Sequence, residues 1–301
     1  MSLPEDPYVE FLRRRAGRSV YLKPYLGHSG DNLIRMGSEL LLTQLGLTPM
    51  LNPAKADIIL WPGGNPVMWP TSLLGWRDCW RSWPKAEFVV GPATFRESGT
   101  DWAALLREAR VPIGGVFARD PISYENLRHA ALPPPITIGL GHDAAFCLKD
   151  SEWVRLHREA STSEYALASF RDDREAAGST ALAAGGPATL LPRFVRRPLE
   201  RRIGRRLIAQ RLELVRSRVG ESQPLVVRDA PLDDFPSFVE CVRRASQVHT
   251  DRLHCMILAA LLNKPVFAYS TAYGKLEAVY EHSMKSWAQV EFVRSPAGGT
   301  R

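Results

Sequence analysis

"SVYLKPYLGHSGDNLIRMGSELLLTQLGL", residues 19–47, reads as a strand, a glycine turn and a helix. Repeated along the chain, that order of elements decides the fold. "ADIILWPGGNP" (56–66) gives a second strand running into another glycine turn, and "AEFVVGPATF" (86–95) repeats the pattern. "VPIGGVFARDPISYENLRHA" (111–130) supplies a strand, a loop and a helix begun near Ser123, and "PITIGLGHDAAFCL" (135–148) closes the series. Short buried strands alternating with helices make a parallel sheet in an α/β fold. Ahead of them, residues 1–17 are charged and weakly patterned, a leading helix or a loose arm.

A second series follows a polar stretch at about 149–163. "EYALASFRDDREA" (164–176) begins with a strand, and "GSTALAAGGPATLLP" (178–192) is a small-residue loop. "SQPLVVRDAPLDDF" (222–235) is a strand with a turn, 236–244 is a helix, and "AYGKLEAVYEHSMKSW" (272–287) is a closing helix. The simplest architecture is two doubly wound, Rossmann-like domains, 1–150 and 151–290, with 291–301 as a flexible tail. Ligands then belong at the carboxyl ends of the strands, in the cleft between the halves.

The bulk composition excludes several classes. With 301 residues, 45% hydrophobic and 24% charged, the chain can bury one large core or two proper ones. Cys79, Cys147, Cys241 and Cys255 are scattered with no CxxC spacing, which argues against a zinc site or a disulfide scaffold. No basic-then-apolar leader opens the chain, and its longest apolar run, 255–262, is too short to span a bilayer. A soluble cytoplasmic protein is expected. The net charge of +7 is concentrated in "RFVRRPLERRIGRRLIAQRLELVRSR" (193–218), which holds ten arginines and two glutamates. A solvated helix face is one reading. Leu207, Ile208, Leu212 and Val215 fall near helical spacing, so a basic amphipathic helix on an anionic membrane is another. Nucleic acid is not expected, because interleaved aromatics are missing apart from Phe194.

Chemistry concentrates at the strand ends. "GHSGDN" (27–32) lies between strand and helix as a substrate loop should, with Gly30 and Asn32 in it and Asp31 near the helix start. It is neither a GxGxxG fingerprint nor a Walker loop. "WPGGNP" (61–66), with Gly64 and Asn65, and "GPAT" (91–94) place two more small-residue loops along the same sheet edge. Arg119 and Asp120 read as structural, beside a Ser123 that can cap the next helix. His142 and Asp143 form a conceivable metal pair, but no other cluster has ligand spacing, so no metal is expected. Arg171, at a strand's carboxyl end, suits bidentate recognition of a carboxylate or phosphate, or else pairs with Asp173 or Glu175.

"HTDRLHCMILAALLNKPVFAY" (249–269) is the most telling of these stretches. Leu253, Met256, Ile257, Ala260 and Leu261 trace one face of an α-helix, capped by Thr250 or Asp251 and ended by Asn263-Lys264-Pro265, with a strand behind it. Arg252 and His254 therefore sit at a helix N-terminus, where free N–H groups and the dipole favour an anion. A bound anion would favour the imidazolium, making His254 a general acid near neutral pH.

These residues resemble a known family. "TDRLHCMILAALLNKPVFAYSTAYGKLEAVYE" (250–281) is similar to the C-terminal signature of the polysaccharide pyruvyl transferases. "GHSGDNLI", "DIILWPGGN", "VVGPAT", "ARDPISYENL", "HDAAFCL" and "FRDDRE" resemble that family's other blocks in the same order, over about residues 20–285. His28 stands where an asparagine is common, and 176–220 matches no block. The resemblance implies a GT-B-like fold with the acceptor on the first domain and phosphoenolpyruvate on the second. It implies transfer of pyruvate from phosphoenolpyruvate to a sugar as a cyclic ketal, with no cofactor. His254 would protonate the methylene carbon, and Asp31 would activate the acceptor hydroxyl. Arg171, Arg252 and Lys275 would hold the carboxylate and phosphate. The implied acceptor is a polysaccharide or its precursor, and the basic segment 193–218 points to a lipid-linked one met at the inner face of the membrane. A GT-B glycosyltransferase or epimerase using a nucleotide sugar is the alternative, and a non-catalytic protein binding membrane or polyanion through 193–218 a further one.

Overall fold

The computed structural model describes residues 6–24, 27–68, 70–96, 101–171, 193–270 and 274–294. By its contacts the chain divides into two units: 1–27 with 31–151, and 28–30 with 152–301.

The first unit runs α1 (Pro7–Arg13), β1 (Ser19–Leu22), α2 (Asp31–Gln44), β2 (Thr48–Pro49), β3 (Ile58–Trp61), α3 (Pro70–Ser82), β4 (Glu87–Ala93), α4 (Trp102–Arg107), β5 (Ile113–Ala118), α5 (Pro121–His129) and β6 (Thr137–Leu140). Its six strands are parallel, in the order β2-β1-β3-β4-β5-β6. Both faces are dry. Ile59, Trp61, Phe88, Val90 and Val116 pack with Trp76 of α3 and Leu105 of α4, while Ile58, Leu60, Val89 and Phe117 pack with α1 and α2. Alternate residues of one strand thus serve opposite cores, which explains their continuous apolar runs. Of the two readings of the leading residues the helix is the one seen, and it belongs to the core, since α1 buries Tyr8, Val9, Phe11 and Leu12 behind an Asp6 cap. Asp120, not Ser123, caps α5: it accepts the Ser123 N–H at 2.9 Å and moves the start to Pro121.

The second unit runs α6 (Glu152–Glu159), β7 (Tyr165–Ser169), α7 (Arg193–Val219), β8 (Leu225–Val227), α8 (Phe235–Arg244), β9 (Ala245–Thr250), α9 (Leu253–Leu261), β10 (Val266–Tyr269), α10 (Lys275–Val279, continuing as a π-helical turn) and β11 (Val290–Val293). Its five parallel strands lie in the order β11-β10-β9-β7-β8. Counted within each unit, the first sheet follows 2-1-3-4-5-6 and the second 2-1-3-4-5. The order reverses between β1 and β3 in one and between β7 and β9 in the other, which is where doubly wound sheets place ligands.

Three expectations change. The polar stretch before β7 contains α6, the central strand β9 precedes α9, and β11 occupies residues where a flexible tail was expected to begin. The small-residue loop 178–192 and Asp173 and Glu175 lie outside the described residues. Ile208, Leu212, Val215 and Val219 of α7 pack with Ala168, Phe170, Tyr269 and Val293, so the apolar stripe of this basic helix serves the core. Arg205, Arg206 and Arg216 stay exposed. Among the described residues no helix is long and apolar enough to cross a membrane.

Candidate active site

The reversal point of the second sheet gathers charge that burial makes expensive, and pairs it. Thr250, the last residue of β9, donates its hydroxyl to Ser169 O of β7 at 2.7 Å and accepts Arg252 N–H at 2.9 Å. One side chain therefore ties the two strand ends together and sets the start of α9. The N-cap of α9 is Arg252, and no side chain caps it. Asp251 is turned elsewhere: its fully buried carboxylate accepts Arg171 N–H at 2.9 Å and Arg211 Nη1 at 2.6 Å. Burial raises its pKa, and Arg211 is the strongest influence opposing that rise. Arg211 also donates to Ser270 O at 2.6 Å and lies over the rings of Phe170 and Tyr269.

Arg252 is only 3% exposed. Asp229, in the loop after β8, takes its Nε at 2.8 Å and one Nη through the other carboxylate oxygen. Such a fork is geometrically specific and fixes the guanidinium at the mouth of α9. Ala230 N–H donates to Ser169 Oγ at 3.2 Å, which sets the same loop against β7.

His254, 4% exposed, is the second residue of α9. The segment 28–30 lies against it. Ser29 anchors that segment, its N–H on Pro231 O at 3.0 Å and its hydroxyl on Asp233 O. The His28 ring meets the His254 ring edge-on, centroids 5.7 Å apart. A Cβ on Gly30 would come within 2.6 Å of His254 Cβ and 2.9 Å of Nδ1, so only glycine fits. The adjoining Cys255 thiol, pushed up to about 12 by burial, is no nucleophile at neutral pH.

The structure thus brings Gly30 and His254 together, and places Arg171, Arg252 and His254 around the ends of β7 and β9. Lys275, buried, opens α10 on the neighbouring strand β10. In the first unit Asp31 and Asn32 begin α2 after β1, with the Asp31 carboxylate folded over Gly27. Gly64 (φ +87°) follows β3, bridges to Ala93 and accepts Thr94 N–H at 2.9 Å, so the second and third glycine loops are laced together. Asn65 is next to it. Asp143 of the conceivable metal pair instead accepts Arg119 Nη1 at 2.6 Å and Ala145 N–H at 3.0 Å. Sequence reasoning missed Asp229 and Arg211. Asp229 was hidden in an ordinary acidic turn and Arg211 among ten arginines, where nothing distinguishes a half-buried member turned toward the sheet.

The family model for polysaccharide pyruvyl transferase matches residues 9–273. No curated protein matches the chain. Among solved structures, a functionally uncharacterised protein, KP1_0663 of Klebsiella pneumoniae, aligns at 19% identity over 94% of this chain and 95% of that one, with a TM-score of 0.58. S. aureus MnaA in a co-structure with UDP aligns at 12% identity over 88% and 87%, with a TM-score of 0.39. A putative UDP-N-acetylglucosamine 2-epimerase from Listeria monocytogenes aligns at 14% identity over 85% and 79%, with a TM-score of 0.39. By its match over nearly the whole length, the chain belongs to the polysaccharide pyruvyl transferase family.

Proposed function

We propose that this transferase moves pyruvate from phosphoenolpyruvate to a pair of hydroxyls on a sugar of a polysaccharide or its precursor. The observation that supports this most is the meeting of Arg171, Arg252 and His254 at the reversal point of the second sheet, two of them at a helix N-terminus. A donor with one carboxylate and one phosphate needs such a cationic place.

In the proposed reaction His254, as imidazolium, gives its proton to the methylene carbon, which becomes the methyl group. The adjacent carbon gains oxocarbenium character and is attacked by the first sugar hydroxyl. Asp31, one residue beyond Gly30 in the chain, takes that hydroxyl's proton. Phosphate then leaves with the C–O bonding pair, stabilised by Arg171, Arg252 and Lys275. The second hydroxyl closes the ketal and releases its proton. Use of phosphoenolpyruvate suits a cytoplasmic reaction, and exposed Arg205, Arg206 and Arg216 fit an anionic surface bearing a lipid-linked acceptor.

The test is thermal-shift titration of wild type and Arg252→Lys with phosphoenolpyruvate, phosphate, pyruvate and UDP-sugars. Stabilisation by phosphoenolpyruvate well beyond phosphate or pyruvate, weakened in the variant, is expected. Response to a UDP-sugar alone would replace this reading with a nucleotide-sugar enzyme.

A further inference from the structure

α6 and α8 enclose a cleft of about 460 Å³ on the second unit, lined by Trp153, Leu156, His157, Phe235, Val239 and Arg243 among others. That volume lies within the range of small-molecule sites, about 300–1,000 Å³. The Trp153 and Phe235 rings are nearly parallel, at 17° with centroids 6.2 Å apart. The His157 ring lies 4.2 Å from that of Trp153, held by an Nδ1 contact of 2.7 Å to Trp153 O. Together the three rings form one stepped platform. They are half-buried, and Leu156 beside them is 49% exposed.

The rim carries charge in compensated pairs. Arg243 reaches Glu240 through Nε at 2.8 Å and Nη2 at 2.7 Å. A second cleft, about 520 Å³, shares Pro236 and Glu240 with the first and adds Arg228 and Arg244. Arg228 pairs with Asp233 at 2.6 Å, and Arg244 Nε with Glu164 at 2.9 Å. Each guanidinium of the two clefts therefore has its carboxylate. A rim without excess charge matches phosphates or acidic chains poorly. Alternating donors and acceptors do match hydroxyls, which both give and take hydrogen bonds. The electron-rich ring faces suit the C–H face of a pyranose. Two clefts in series suit a chain of sugars better than a single one.

We propose that the joined clefts flanking α8 bind a neutral stretch of oligosaccharide, holding the acceptor chain by units other than the one that reacts. This rests on the reading of the acceptor as a sugar polymer, but its test does not require turnover. Saturation-transfer NMR would use cellotetraose, maltotetraose, mannotetraose and β-1,4-galactotetraose with wild type, Phe235→Leu, Trp153→Ala and His254→Ala. At least one tetraose should bind wild type and His254→Ala alike and bind both cleft variants at least tenfold more weakly, with Phe235→Leu melting close to wild type. Absence of binding by all four, or binding that survives both cleft changes, would overturn the proposal. So would self-association of wild type that Trp153→Ala abolishes, since the clefts would then belong to a second copy. Tetraose binding in a chain that does not respond to phosphoenolpyruvate would keep the clefts and remove the donor reading.

Discussion

Alanine in place of Gly30 would set its methyl 2.6 Å from His254 Cβ, and one of the two must move. The nearest atom, His254 Cβ, is fixed to the backbone of α9, so turning the ring about its single bonds cannot relieve the contact, and the 28–30 segment or the start of α9 must shift, carrying the ring with it. Gly30→Ala should therefore lower kcat by at least tenfold while costing about 1–3 kcal/mol of stability, checked by kinetics beside a thermal melt. His254→Ala should remove roughly 10²–10⁴-fold of rate if it is the acid. A loss of only a few-fold in kcat would sink that role. Asp229→Asn keeps the shape of the Arg252 fork and removes its charge. It should raise the KM for phosphoenolpyruvate more than it lowers kcat, because a loosened guanidinium affects binding first. His254 and Arg252 were legible because a polar pair interrupting an apolar helix start needs a reason. Of their partners, Gly30 was read as part of a substrate loop but not as the neighbour of His254, and Asp229 was not read at all, because both act from loops remote in sequence.

Among the elements, α7 shows how a local pattern can mislead. Ten arginines drew attention to its charged side, yet Ile208, Leu212, Val215 and Val219 lie on the sheet, and Arg211 enters the core to meet Asp251. Removing Arg211 alone would strand a buried carboxylate, a loss of about 3–5 kcal/mol by the usual behaviour of broken buried pairs. Arg211→Met should show this in denaturant titration, and Arg211→Met with Asp251→Leu should recover much of it. Recovery would be absent if the pair's stability came from Arg211's ring contacts instead. The strand–turn–helix repeat of the first unit was readable because its strands are buried on both faces and so are almost purely apolar. β9 was not, although it is the central strand of its sheet. Its Ser246, Gln247 and His249 look like loop residues until their partners are seen. Ser246 bonds Tyr165 O at 2.9 Å, Gln247 bonds Gln223 at 3.0 Å, and His249 contacts Tyr269 Oη at 3.1 Å. α6 was hidden for the opposite reason, since it buries little beyond Val154.

For the molecule as a whole, His249 links stability to acidity. Burial, with Arg218 adding to it, depresses its pKa to about 4. An unfolded chain, with a histidine near 6.5, binds a proton that the folded one refuses. Stability is then complete above about pH 6.5 and falls as the pH drops toward 4, by on the order of 3 kcal/mol. Melting curves from pH 7.5 to 4 should show that decline, and His249→Gln should flatten it. An unchanged slope in the variant would assign the acid sensitivity to other groups.

The segment 28–30 has a consequence for anyone who would dissect the protein. It leaves β1 of one unit, is counted with the other, and returns to α2. A single cut in the sequence therefore cannot yield two whole pieces. A fragment beginning at 152 would carry every strand of its sheet and still leave the floor under His254 missing, where Gly30 had been. Such a fragment is a receptor in waiting: a synthetic peptide with the sequence of residues 24–36 should dock into the gap and raise its melting temperature, and the same peptide with alanine at position 30 should not.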